Sequence, residues 1–157
     1  MNKIDRALRI IQARVPKTYL ELSNLRVFKH SYSMFRAIAR AREENYKETM
    51  KFYNSYLAND NPMKVNDYIT TKYYQPLKSK RRHRQPCYTF VAFSGHPIYL
   101  TLETTSHFRV KDYVYLLLHE IGHNYASRKG KNLYDEAYAD TFAIRWTKKF
   151  IEEGLIK

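Results

Sequence analysis

His119-Glu120-Ile121-Gly122-His123, set inside the apolar run 113–125, is the stretch from which the rest of the chain can be read. On a helix the two histidines stand one turn apart on one face, so both imidazoles can reach a single cation. Glu120 then projects beside that cation, where its carboxylate can take a proton from water and hand it on. A catalytic zinc site uses three protein ligands and leaves a fourth position open. The pentapeptide therefore calls for one further donor.

No histidine follows His123, and the only cysteine, Cys87, lies upstream on an expected strand. A carboxylate is the donor type that remains. Asp135-Glu136-Ala137-Tyr138-Ala139-Asp140-Thr141-Phe142-Ala143 opens another helical pattern and is acidic within a basic chain. Glu136 can serve as the third ligand. Asp140, one turn on, can accept the Nδ1 proton of a ligating histidine and fix its tautomer. Two nitrogens, a carboxylate and an open position favour zinc. The plainer alternatives are that HExxH is a chance pattern on a metal-free helix, and that Glu136 is an acid placed where the helix dipole favours one.

With both stretches in place, the chain resembles the gluzincin metallopeptidases. Their pattern, HExxH followed by E-x-x-A-D/N-x-F-A, matches His119 to His123 and Glu136 to Ala143. The likeness is greatest to small ImmA/IrrE-type peptidases and to minimal gluzincins, and it covers residues 87–150. It implies a zincin-like α+β fold, one Zn2+ per chain, and hydrolysis of a protein or peptide substrate with Glu120 as general base. It also implies an exposed edge strand that pairs with extended substrate, a place that 98–103 would take. The chain departs from the ImmA pattern at Asn124-Tyr125-Ala126-Ser127, where those enzymes commonly carry another histidine. The resemblance thus reaches the zinc chemistry and not a repressor substrate. An oxyanion or substrate contact could come from His96, His107, Tyr125, Tyr138 or Arg145, and the sequence does not choose among them.

The elements around the motif follow from periodicity and turn residues. Ile4, Leu8, Ile11 and Val15 predict an amphipathic helix ended by Pro16. A short helical piece over 19–25 is expected next. Ser31 or Ser33 should cap a helix to about Ala58, with Phe35, Ile38, Tyr46, Met50, Tyr53 and Leu57 as one buried stripe. A weaker helix is expected over 65–74. Residues 87–93 and 98–103 read as two strands joined by the turn Ser94-Gly95-His96-Pro97, hence a hairpin. Ser106 or Asp112 should cap the motif helix, and Tyr113, Leu116, Leu117 and Ile121 should anchor it. The last helix is expected over 134–153, burying Ala139, Phe142, Ala143, Trp146 and Phe150.

A chain of 157 residues is long enough to bury its own core. It divides into a helical part, 1–76, that packs on or covers a zincin-like core, 77–157, the two making one compact domain. The single cysteine excludes an internal disulfide. The start of the chain has no signal-type apolar region and no stretch is long enough to span a bilayer, so a cytoplasmic protein is expected.

The net charge of +13 is uneven: residues 1–60 carry 12 basic and 6 acidic side chains, 61–110 carry 8 and 2, and 111–157 carry 8 and 7. Such a field suits nucleic acid or another acidic partner, unless the cations are simply solvated. The densest run holds Lys78, Lys80, Arg81, Arg82 and Arg84, which would be phosphate contacts or a solvated loop. Two alternatives to a peptidase follow. One is a nucleic-acid-associated basic protein with a regulatory zincin domain; the other is a structural protein that keeps the metal fold without catalysis.

Overall fold

Helix α1 (Lys3–Arg14) forms as its spacing predicts, with Asn2 accepting the Asp5 N–H at 2.8 Å as the N-cap. Ile4, Ala7 and Ile11 face inward, and Pro16 prevents continuation. The computed structural model describes residues 2–20, 23–57, 86–89, 95–130 and 135–157. After α1 come α2 (Lys17–Leu20), β1 (Ser23–Phe28), α3 (Ser31–Leu57), β2 (Cys87–Thr89), β3 (His96–Thr101), α4 (Val110–Arg128) and α5 (Glu136–Glu152). The expected helix over 65–74 and the basic run 78–84 lie outside the described residues.

The architecture is mixed α+β, built on a sheet in the order β1-β3-β2. β3 runs parallel to β1 and antiparallel to β2, with Ile98 opposite Leu25 on one side and Thr89 on the other. Each face of this sheet is covered. Cys87, Ile98, Leu100 and Leu25 meet α1, α4 and α5 in the larger core, while Tyr99, Tyr88 and Phe28 meet Met34, Phe35 and Ile38 of α3. Fully burying such a side chain contributes about 1.5–3 kcal/mol, so the central strand is held from both sides.

Two sequence-based expectations are overturned here. The stretch 19–25, expected to be helical, gives one turn of helix and then β1, because Leu25 and Val27 alternate with Arg26 and find a partner strand far along the chain. The stretch 98–103, expected to be an exposed edge, forms the middle of the sheet as part of β3. Ile98, Tyr99, Leu100 and Thr101 are all buried, which is the pattern of a strand covered on both faces. His96, expected in the turn, is the first residue of β3.

The long helix keeps close to its expected bounds. Phe35 and Ile38 are buried, Tyr46 and Met50 are half-buried, and Tyr53 and Leu57 lie outside the described side chains. Its first N–H is satisfied not by a serine but by Glu103, whose carboxylate accepts the Ser31 N–H at 2.7 Å. No helix among the described residues is long and apolar enough to cross a membrane.

Helices α4 and α5 pack closely at Gly122. A Cβ built there would stand 3.1 Å from Ala139 Cα and 3.1 Å from Phe142 Cβ. Backbone cannot yield as a flexible side-chain tip can, so a larger residue would force the two helices apart. Gly122→Val should therefore lower stability by about 2 kcal/mol or more. Denaturant midpoints would check this; an unchanged midpoint would contradict the close approach.

Candidate metal centre

The site begins with how firmly α4 is fixed. The N-cap position of the helix is taken by Arg109 rather than by Ser106 or Asp112, while Asp112, three residues on, accepts the Arg109 N–H at 2.8 Å. Val114, Leu117, Leu118 and Ile121 are buried along it, together with Tyr113, whose hydroxyl donates to Thr105 O at 2.7 Å. Toward its other end Asn124, only 2 % exposed, ties the helix to the sheet. Its Nδ2 donates to His96 O at 3.0 Å, and its Oδ1 lies 2.9 Å from the Thr89 hydroxyl. A buried amide in an apolar helix needs such partners.

Helix α5 is set by Asp135, which accepts the Tyr138 N–H at 3.0 Å as N-cap. Ala139, Phe142, Ala143 and Phe150 are buried along it, and Trp146 is partly buried. This puts Glu136, its first residue, over the motif face of α4.

There the three expected donors meet. His119 Nε2 lies 3.0 Å from Glu136 Oε2, His123 Nε2 lies 3.2 Å from Glu136 Oε1, and the two Nε2 atoms are 3.0 Å apart. In a tetrahedral site with bonds of about 2.0–2.1 Å, ligand atoms stand about 3.3 Å from one another. The two imidazoles each approach a different Glu136 oxygen, and one ligand atom from each of the three residues lies within 4.8 Å of the others, so the set could hold a metal ion. His119 and His123 are largely enclosed, at 16 % and 7 % side-chain exposure, whereas Glu136 is 69 % exposed and leaves the outer side open. His119, His123 and Glu136 form the metal-capable cluster among the described residues.

Asp140 Oδ1 stands 2.9 Å from His119 Nδ1, although the ring N–H does not point squarely at it. The Tyr115 hydroxyl donates to the same carboxylate oxygen at 3.2 Å, and its ring stacks near His119 with centroids 6.4 Å apart. Tyr115 escaped the sequence reading, though its place one turn before His119 is a signal for it. Asn124 and Thr89 were also missed; an amide next to His123 in an apolar helix was the available sign.

Glu120 is enclosed, at 9 % exposure. Burial, with a smaller effect from the Glu136 carboxylate, pushes its pKa up to about 8. Cys87 on β2 lies close enough to feel it: burial first, and then the Glu120 charge, raise the thiol well above its ordinary value.

The remaining candidates are dispersed. His96 is buried against α4 with Nε2 at 3.3 Å from Ser127 Oγ, and burial lowers its pKa. Tyr125 packs edge-on to Tyr19 at 4.3 Å with the Lys129 ammonium 5.4 Å from its ring centroid. Tyr138 is near both tyrosines; burial, then their proximity, raises its pKa. His107 is exposed and edge-on to Phe108, and Arg145 is exposed. Lys78, Lys80, Arg81, Arg82 and Arg84 lie outside the described residues.

Comparison with protein-family models, with curated proteins and with solved structures finds no match to this chain.

The Glu120 environment gives a measurable pH dependence for metal-stripped protein. A carboxyl whose folded pKa lies above its unfolded one binds more protons folded than unfolded between the two values. Stability should be complete below about pH 4.5 and fall as the pH rises toward 8, by a few kcal/mol at most. Thermal melts should show this fall in the wild type and largely lose it in Glu120→Gln. A divalent cation should oppose it by favouring the carboxylate.

Proposed function

We propose that this chain is a zinc-dependent peptidase of the zincin-like kind, acting on protein or peptide substrates. The observation that carries the proposal is the convergence of His119, His123 and Glu136 from two helices, with the enclosed Glu120 beside them. A purely structural site would have no use for that fourth residue. Its buried carboxyl is costly to ionise and has a role only next to a cation and a reacting water.

His119, His123 and Glu136 would hold the ion. Bound there, zinc supplies Lewis acidity, making water acidic near neutral pH and polarising a scissile carbonyl. Glu120 takes the proton of the attacking water and delivers it to the leaving amine. Beside a bound cation the Glu120 carboxyl would be held ionised, the form that accepts that proton. Asp140, supported by the Tyr115 hydroxyl, orients His119 and raises its basicity as a ligand. His123 and its neighbour Asn124 are kept in register by the Thr89 hydroxyl and the His96 carbonyl, both bonded to the Asn124 amide.

The substrate strand would lie along β2 rather than β3. β3 has neighbours on both sides, whereas β2 is a sheet edge among the described residues and touches α4 through Thr89. Pro86 O accepts the Thr101 N–H at 3.0 Å, so by strand alternation Cys87 and Thr89 turn their backbone groups away from β3. An extended peptide can pair with those groups by β-augmentation.

Metal analysis of purified protein should find about one zinc per chain, and His119→Ala or Glu136→Ala should lose it. Asp140→Ala should weaken zinc binding about 10- to 100-fold in chelator competition. On a library of fluorescence-quenched peptides, Glu120→Gln should retain zinc and lose cleavage. Cleavage surviving in Glu120→Gln would refute the mechanism. A zinc-loaded wild type that cleaves no member would favour a metal-holding protein without catalysis.

A further inference from the structure

The peptidase reading makes no use of the face opposite α4, where α3 and the end of β1 carry a distinct composition. From residue 22 through residue 42 the chain has five basic side chains, Arg26, Lys29, Arg36, Arg40 and Arg42, and no acidic one. Arg42 is buried and donates to the Tyr88 hydroxyl at 3.0 Å. The other four are exposed, and among the described residues none of them has an ion pair within 4.0 Å.

Their arrangement is regular. Tyr32, Arg36 and Arg40 follow one another at intervals of four on α3 and so form one ridge on the helix. Tyr32 is 65 % exposed, the most exposed of the large hydrophobic side chains among the described residues, and the Arg36 guanidinium stands 5.7 Å from its centroid. Lys29 and His30 lie just before the helix, and Arg26 on β1 stands 5.5 Å from the Phe28 ring centroid. Farther along α3 the pattern ends: Glu43 and Glu44 appear, and Lys47 pairs with Glu43 at 3.3 Å. The start of α3 is not itself an anion site, because Glu103 already occupies it.

We propose that this ridge binds single-stranded nucleic acid, with Lys29, Arg36 and Arg40 on successive phosphates and an unpaired base stacked on Tyr32. The charge alone would suit any polyanion. The exposed ring flanked by guanidinium is what favours a base: single-strand binders combine a basic track with open aromatic platforms, and each stacked base contributes a sequence-tolerant contact. A folded acidic protein matches the charge but carries no regular succession of π-faces along its anionic groups, as a single strand does. A lipid headgroup would call for apolar side chains that insert beside the cations, and on the ridge Tyr32 alone approaches that character. This surface is independent of the metal centre and stands or falls apart from it.

Fluorescence anisotropy of the full-length protein with a labelled single-stranded oligonucleotide of about 16 nucleotides tests the assignment. Binding should be salt-sensitive, and the joint change Arg36→Ala and Arg40→Ala should make the slope of log K against log salt shallower by about 1.4. Tyr32→Ala should weaken binding about tenfold, and Tyr32→Phe should restore it. Zinc content and melting temperature should stay at wild-type values in all these variants, since the altered side chains are exposed.

Several results would overturn the proposal. One is absence of binding at low salt. Another is equal binding by Tyr32→Ala, which would mark a generic polyanion surface. Binding lost in Arg81→Ala, Arg82→Ala and Arg84→Ala together, but kept in the α3 variants, would move the contact elsewhere. Tighter capture by vesicles rich in phosphatidylserine than by the oligonucleotide would assign the ridge to a membrane surface.

Discussion

The close approach of α4 and α5 at Gly122 is the constraint on which the rest depends. With no side chain at that position, the backbone of Ala139 and the base of Phe142 come to within ordinary contact of α4. One turn either side of this crossing decides the site. His119 and His123 project from α4, and Glu136 reaches over from the first turn of α5, so that each imidazole Nε2 lies within 3.2 Å of one of its carboxylate oxygens and the two Nε2 atoms stand 3.0 Å apart. Neither helix holds the set alone. Their separation sets the donor spacing directly, because helices are rigid on this scale and side-chain rotamers can take up only small errors.

The second organising feature is the polar content of an otherwise apolar helix. Asn124 is satisfied on both ends of its amide by the sheet, and its burial therefore costs little while it pins α4 in register. Glu120 is different. It is enclosed beside another carboxylate, and its ionisation is opposed by both. Locally unfavourable placements of this kind persist where function requires them, whereas a solely structural role would be served better by an apolar residue.

The sheet explains how the site is backed. Because β3 is covered by α3 on one face and by α1, α4 and α5 on the other, it is a stiff support behind the helix that carries His119 and His123. Its central position leaves β2 as a sheet edge among the described residues. The same layering leaves the outer side of α3 facing solvent, and there the basic ridge with Tyr32 gives the protein a second chemically distinct surface.

Much of this was legible in the residues themselves. Helical spacing places His119 with His123, and Glu136 with Asp140, because a helix turn is a local geometry that any sufficiently periodic stretch adopts. Elimination of other histidines and cysteines then pointed to a carboxylate donor, and turn residues bounded α1, α3, α4 and α5 closely. What escaped was non-local. β1 was hidden because Ser23–Phe28 becomes a strand only by pairing with β3 some seventy residues away. β3 was misplaced as an edge because its second neighbour, β1, is a distant segment whose pairing no local pattern specifies. The hydrogen bond from Tyr115 to Asp140 depends on how two helices cross, and no spacing within either one specifies that. The sequence by itself determined which side chains share a helix face, since that follows from local periodicity. Only the tertiary structure decided which faces meet and which strand is an edge, since those depend on contacts between distant segments that burial and close packing select.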